Sequence, residues 1–320
     1  MKKKIKIYEI FVLIFLTVTL LLVPLSGDRF YIYLACMFLI YSVYAIGFNI
    51  LFHYGRLLSF GHAMFFAGGA YATALFTLRI YSDPVIGFLI GVLASLPLAL
   101  IVGFLSLRHT RIYFALLTLA FSMFLYTLLL KLRDITGGSD GLVGIPKKGI
   151  LDLSSPISYY YFIYVISVLF VIIPVYFLLN SRIGLIIKAL GSNEERLPFT
   201  GYSILNIRLL TFIISGIITS VSGSLYAILM GVITPEIAYW TYSAVPLVIT
   251  LIGGSNYFFG PILGALVYLI LTTLFARFAE FWQLILGIAI MAVVLGFKGG
   301  MAEMLTELLF KIKPSLRGEV

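Results

Sequence analysis

The 320-residue chain is 62% hydrophobic and 11% charged, with a mean hydropathy of +1.11; a soluble domain has about 45–50% apolar and about 25% charged residues. That excludes a water-soluble enzyme. The net charge of +9 is scattered between apolar stretches, and the lone Cys36 belongs to no Cys/His cluster, so nucleic acid and structural zinc are excluded as well.

In chain order, the stretches free of Asp, Glu, Lys and Arg are 10–27, 30–53, 57–78, 84–107, 112–130, 153–181, 209–235, 237–276 and 281–297. A membrane-crossing helix needs about 20 such residues, and all but one run are near that length. Run 237–276 would extend about 60 Å as a single helix. It contains Gly253-Gly254-Ser255-Asn256 and then Gly260-Pro261, strong turn signals that split it in two. The expectation is an all-α integral membrane protein of about ten transmembrane helices with both termini cytoplasmic. This topology puts fifteen of the 22 Lys and Arg residues inside, as the positive-inside rule requires; leaving the long run unsplit weakens the bias. The first run has a Lys-rich start like a signal peptide, but no small-residue cleavage site follows it, and it reads as the first span. Residues 1–320 form one membrane domain, with an extracytoplasmic Gly-rich loop at 131–156 and a cytoplasmic loop at 182–208.

No run contains an interior carboxylate, which argues against an ion-coupled pump, and no Walker motif is present. The densest polar signal is the corner Gly47 to Ala63, with Asn49, His53, Ser59, Gly61 and His62. Irregular backbone at membrane depth is tolerated when it is buried in protein or lines a wet cavity. The corner is therefore either a re-entrant break beside a translocation path, with Asn49, Ser59, Gly61 and His62 as path residues, or an ordinary turn. The stripes Ala63/Ala67/Ala70/Ala74 and Gly216/Ser220/Ser224 suit close helix packing. The outer loop Thr136–Pro146 is too Gly-rich for a helix, and is either a docking surface or a solvated connector. In the inner loop, Ile183, Ile186, Ile187 and Leu190 recur at helical spacing. Ser192 or Asn193 is placed to cap a second short helix carrying Glu194 and Glu195, which Pro198 then constrains. Residues 302–313 form an amphipathic, interfacial pattern.

Asn49…Gly55…Ser59-x-Gly61-His62-Ala63-x-Phe65 followed by Gly69-Ala70-Tyr71 resembles the signature of branched-chain amino-acid ABC transporter permeases. Arg111-Ile112-Tyr113-Phe114-Ala115-Leu116-Leu117-Thr118 and the loop Thr136-Gly137-Gly138-Ser139-x-Gly141-Leu142-x-Gly144-Ile145-Pro146 resemble its M-type (LivM-like) subunits. Ser181-Arg182-x-Gly184, Asn193-Glu194, Gly201, Pro235-Glu236 and Gly253-Gly254…Gly260-Pro261 fit too, so the likeness covers about residues 41–300. It implies an ABC importer architecture: a related H-type permease, two cytoplasmic ATPases that bind the ATP, and an extracytoplasmic binding protein. This chain itself would need no cofactor and perform no catalysis. The resemblance also implies ATPase coupling through Asn193, Glu194, Glu195 and Gly201, although Gly191-Ser192 and Pro198 depart from the family pattern. Docking of the binding protein is expected on Gly137, Gly138, Ser139 and Gly141. A related importer for urea, short amides or another small solute is the alternative substrate reading, and a stand-alone carrier or channel the alternative class.

Overall fold

The computed structural model describes residues 17–109, 111–192 and 194–275, and beyond them 284, 287, 288, 291, 296 and 299–304. Most of the expected first and last spans, most of the 302–313 pattern, and Asn193 lie outside the described residues.

The elements are α1 (Arg29–Asn49), continued by a π-helical turn at Ile50–Tyr54, then α2 (His62–Arg79), α3 (Pro84–Ser106), α4 (Arg111–Lys131), β1 (Leu142–Val143) and α5 (Pro156–Asn180). They continue with α6 (Arg182–Ser192), α7 (Ile204–Met230), β2 (Val232–Ile233), α8 (Trp240–Gly253) and α9 (Gly260–Phe275). Among the described residues, five stretches are long and apolar enough to cross a bilayer: the α1 rod with its π turn, α3, α4 without its first arginine, α5 and α7. The chain is a helical membrane protein. Two ends of the bundle can be distinguished. β1 pairs antiparallel with β2, Leu142 opposite Ile233, at the hairpin end; α6 marks the other.

Local chemistry sets the helix starts. Asp28 accepts from the Phe30 amide at 2.8 Å to cap α1, and Ser155 accepts from Ser158 N to cap α5, whose first residue is Pro156. α7 ends at Gly231, whose φ of 71° suits a residue without Cβ. α1 is apolar all round and takes the centre, as such a helix must: from Ala35 to Leu51 every residue except Tyr41 is buried.

Packing around α1 relies on small residues, as the stripes lead one to expect. Ala63, Ala67, Ala70 and Ala74 are fully buried. A Cβ on Gly223 of α7 would lie 1.9 Å from the Phe66 carbonyl oxygen of α2, and one on Gly91 of α3 would lie 2.6 Å from the Gly69 carbonyl oxygen. Three helices thus touch backbone to backbone.

Three expectations change in detail. Run 57–78 is not helical throughout: residues 55–61 are irregular and the helix begins at His62. The long run does break between Gly253 and Gly260, but its first half is a short helix of 14 residues, about 21 Å long. The second helix of the inner loop is a 3-10 segment, Glu194–Thr200, with Pro198 inside it.

At the hairpin end, the buried Asp83 carboxylate joins α3 to the loop before α5. It accepts from the Val85 and Ile86 amides at 2.9 Å each and from the Ile150 amide. Burial alone would push its pKa up, but these amides outweigh it and hold the carboxyl below its ordinary value. A depressed folded-state pKa contributes stability at pH above the unfolded value and loses it as pH falls through the folded one. Asp83→Asn should therefore cost about 1–3 kcal/mol at pH 7. The gap to wild type should narrow below about pH 4, as measured by thermal unfolding in detergent. Gly223→Ala should lower the unfolding midpoint far more than Gly68→Ala, whose added methyl meets only the movable end of Leu98 at 3.2 Å.

Candidate functional site

The corner flagged in the sequence re-enters the bundle. After the π turn, Arg56 adopts a left-handed φ of 52°, the sole non-glycine among the described residues to do so. The chain then runs back inward. A Cβ on Gly61 would lie 2.5 Å from the Thr118 carbonyl oxygen, so α2 starts beside the interior of α4. Ser59 and His62 are completely buried and Asn49 nearly so.

An amide chain buried this way must find its partners inside the protein. Phe60 N donates to Thr118 Oγ1 at 3.2 Å and Gly61 N to Ser59 Oγ at 3.2 Å. Ala63 N, in the first turn of α2, donates to Ser243 Oγ of α8 at 2.8 Å. The beginnings of α2 and α8 therefore meet. His62 Nε2 lies 2.8 Å from Ser215 Oγ of α7, and Ser215 Oγ gives its single proton to the Gly47 carbonyl at 2.6 Å. Ser215 Oγ, its proton committed to Gly47, therefore accepts from His62 Nε2. Phe48 and Phe65 flank the ring at 5.0 and 6.2 Å. Asn49 Nδ2 donates to the Ser255 carbonyl at 3.3 Å, tying α1 to the α8–α9 turn, while Asn49 Oδ1 is unpartnered.

The structure thus brings Ser59, Gly61 and His62 into one buried polar knot, whereas Asn49 is tied separately to the α8–α9 turn. Its hydroxyl partners Ser215, Thr118 and Ser243 were missed in the sequence. Each lies in a hydrophobic run, with no spacing to mark it. Ser215 does adjoin the stripe that begins at Gly216, and that is the only signal there was. Among the described residues no group of three or more His, Cys, Asp or Glu side chains could hold a metal.

The α6-end candidates form a second locus. Glu194 pairs with Arg208 of α7, and Gly201 has a φ of 83° with open space around it. A Cβ on Gly191 would lie 2.3 Å from the Tyr54 carbonyl oxygen, and Lys188 Nζ sits 5.5 Å from the Tyr54 ring centroid. α6 therefore rests directly on the π turn that leads to the knot. Glu195 lies in the 3-10 segment.

At the hairpin end, Gly137, Gly138 and Gly141 all have positive φ. A Cβ on Gly141 would lie 2.0 Å from the Ile233 carbonyl oxygen. Turn geometry and strand pairing account for these glycines, and Gly138 is buried. Ser139 is the exposed member of the set.

Glu236, in sequence only a boundary between two apolar runs, lies within the depth of the bundle. Ser122 Oγ, halfway along α4, donates to the Ala238 carbonyl at 2.9 Å, so the 3-10 turn Pro235–Ala238 dips inward from β2.

Comparison with known proteins gives a consistent answer. The family model described as the permease component of the branched-chain amino acid transport system matches residues 30–295. The high-affinity branched-chain amino acid transport system permease proteins LivM of Salmonella typhimurium and Escherichia coli are 29% and 28% identical to this chain, covering 82% of it and 68% of each relative. A probable branched-chain amino acid transport permease protein LivM of Methanocaldococcus jannaschii is 29% identical over 66% of this chain and 63% of its own length. No solved structure matches.

Ser215→Ala removes both the acceptor for His62 and the donor to Gly47. It should cost about 1–3 kcal/mol, and His62→Leu in the same background should add much less than it does alone. A double-mutant cycle on detergent unfolding midpoints measures this coupling.

Proposed function

Because the chain belongs to the branched-chain amino acid transport permease family, we propose that it is the membrane-spanning subunit of an ATP-driven importer for branched-chain or similar small amino acids. The match across residues 30–295 carries this reading. In it, the chain crosses the cell membrane about ten times with both ends cytoplasmic. It works with a related H-type permease, two cytoplasmic ATPases and an extracytoplasmic binding protein. The case against a stand-alone ion-coupled carrier rests on the family and on apolar runs that hold no carboxylate.

Two features support alternating access. Helices that begin inside a bundle are where transporters bind and gate solutes, because their first amides face inward and their far ends can move separately. α2 and α8 begin this way, linked through Ala63 and Ser243. In addition, α6 is amphipathic, lies at the end opposite the hairpin, and abuts Tyr54. A push on α6 from an ATPase would reach the π turn and then the start of α2. Asn193, Glu194, Glu195 and Gly201 are the residues we assign to ATPase contact. Ser139 with its flanking glycines is assigned to the binding-protein side.

Gly201→Val tests the coupling role. The added side chain meets no neighbour, so the change acts through its left-handed backbone, at a cost of about 1–2 kcal/mol. Complex yield and capture of loaded binding protein should be unchanged. Stimulation of ATP hydrolysis by loaded binding protein should fall by at least about half, and uptake with it. Wild-type stimulation and uptake at equal yield would reduce this loop to a connector.

A further inference from the structure

The inward-dipping segment between β2 and α8 carries chemistry that the knot does not use. Ser122 lies nine residues inside the Lys131 end of α4, about 13 Å of helix rise. Glu236 is two residues from Ala238, which bonds Ser122, so it lies within about 7 Å of that depth. It is therefore several ångströms inside the hairpin end, and yet it is exposed. A carboxylate facing lipid at that depth is strongly disfavoured. The face it shares must meet water or another subunit.

The neighbours of Glu236 are specific. The Tyr126 and Tyr239 rings lie 5.1 Å apart, and Trp240, 41% exposed, lies 6.1 Å from Tyr239. α8 begins at Trp240 without a side-chain cap, so the Trp240 and Thr241 amides have no intrahelical acceptor, and both residues are exposed. Behind them the Tyr71 side chain is 3% exposed, and its hydroxyl has no hydrogen-bond partner. α2, which carries Tyr71, packs against the 3-10 turn that bears Glu236. Glu236, which accepts from Thr234 Oγ1 at 3.3 Å, Tyr239 and the α8 start thus lie within six residues of chain, with Tyr126 of α4 against Tyr239.

We propose that this cradle binds a zwitterionic amino acid with an apolar side chain during passage. The ammonium sits on Glu236, the carboxylate on the Trp240 and Thr241 amides, and the side chain against Tyr126, Tyr239 and Trp240. The inference rests on the importer reading above and names the substrate contact within it. Each part of the ligand has a counterpart of opposite character: charge for charge, helix-start amides for an anion, and aromatic faces for hydrocarbon.

The test uses the assembled transporter in proteoliposomes with its binding protein, and L-leucine as the probe. It measures leucine uptake and ATP hydrolysis in parallel at saturating loaded binding protein. Glu236→Gln should lower leucine moved per ATP hydrolysed by about tenfold or more, the effect of losing one charge-assisted hydrogen bond. Glu236→Asp should retain most of it. An unchanged ratio in Glu236→Gln overturns the inference. So does a parallel fall of uptake and hydrolysis, or a loss of assembled complex, since either makes Glu236 a structural or subunit-interface group. A wild-type complex that hydrolyses ATP but imports no leucine overturns the importer reading itself, a result visible before any variant is made.

Discussion

The backbone amides of Phe60, Gly61 and Ala63 sit where water is scarce, and each needs an acceptor supplied by the protein. An uninterrupted helix supplies its own, whereas a chain that re-enters a bundle does not. The fold meets this demand with the corner's own Ser59 for Gly61 and hydroxyls from distant helices for the rest, Thr118 for Phe60 and Ser243 for Ala63, while the Leu51 carbonyl accepts from Leu57. The positions of α4 and α8 follow from where Thr118 and Ser243 have to be, and that of α7 from the bond between Ser215 and the His62 ring. A lost amide bond in such surroundings costs far more than it does at a wet surface. The break is consequently held as firmly as the helices it separates.

The same economy of side chains appears where α2, α3 and α7 cross. Thr73 Oγ1 and Ser224 Oγ lack ordinary partners, but both converge on Gly91: a Cβ placed there would lie 2.1 and 2.5 Å from them. They face the Gly91 methylene, the geometry of weak Cα–H···O contacts. Ser220 Oγ bonds the Gly91 carbonyl at 3.0 Å. Small residues here therefore do two jobs, letting backbones approach and filling the space between them with oxygen acceptors. Packing in a bilayer lacks the hydrophobic drive available in water, and contacts of this kind take its place.

Much of this organisation was legible in the amino-acid order. Charge-free runs found the long helices because helix length and burial in lipid both depend on composition alone. Gly253-Gly254 and Gly260-Pro261 marked a turn through backbone chemistry that is local to those residues. The corner at Asn49 to His62 was visible because four polar residues stood out against an apolar background. What was not legible depends on pairings between remote segments. The depth of Glu236 is set by Ala238 bonding to Ser122, 116 residues away. The choice of Ser215 as the partner of His62 is settled by helix rotation, which no residue spacing records. Pro198, expected in the sequence either near a helix start or to break the helix, sits inside a 3-10 turn, whose i to i+3 bonds differ from those of an α-helix.

The reach of these pairings also sets an order of assembly. His62 and Ala63 leave the ribosome long before their partners: Ser215 follows 153 residues later and Ser243 180 residues later. At typical synthesis rates that gap is roughly 10–40 s, during which the Ala63 amide and the His62 ring lack these partners. The first two helices must wait as an open pair, with the corner near the aqueous boundary or shielded by the insertion machinery. They close only when α7 and α8 arrive. Truncated or stalled chains ending before α8 would expose that corner and mark themselves for quality-control proteolysis.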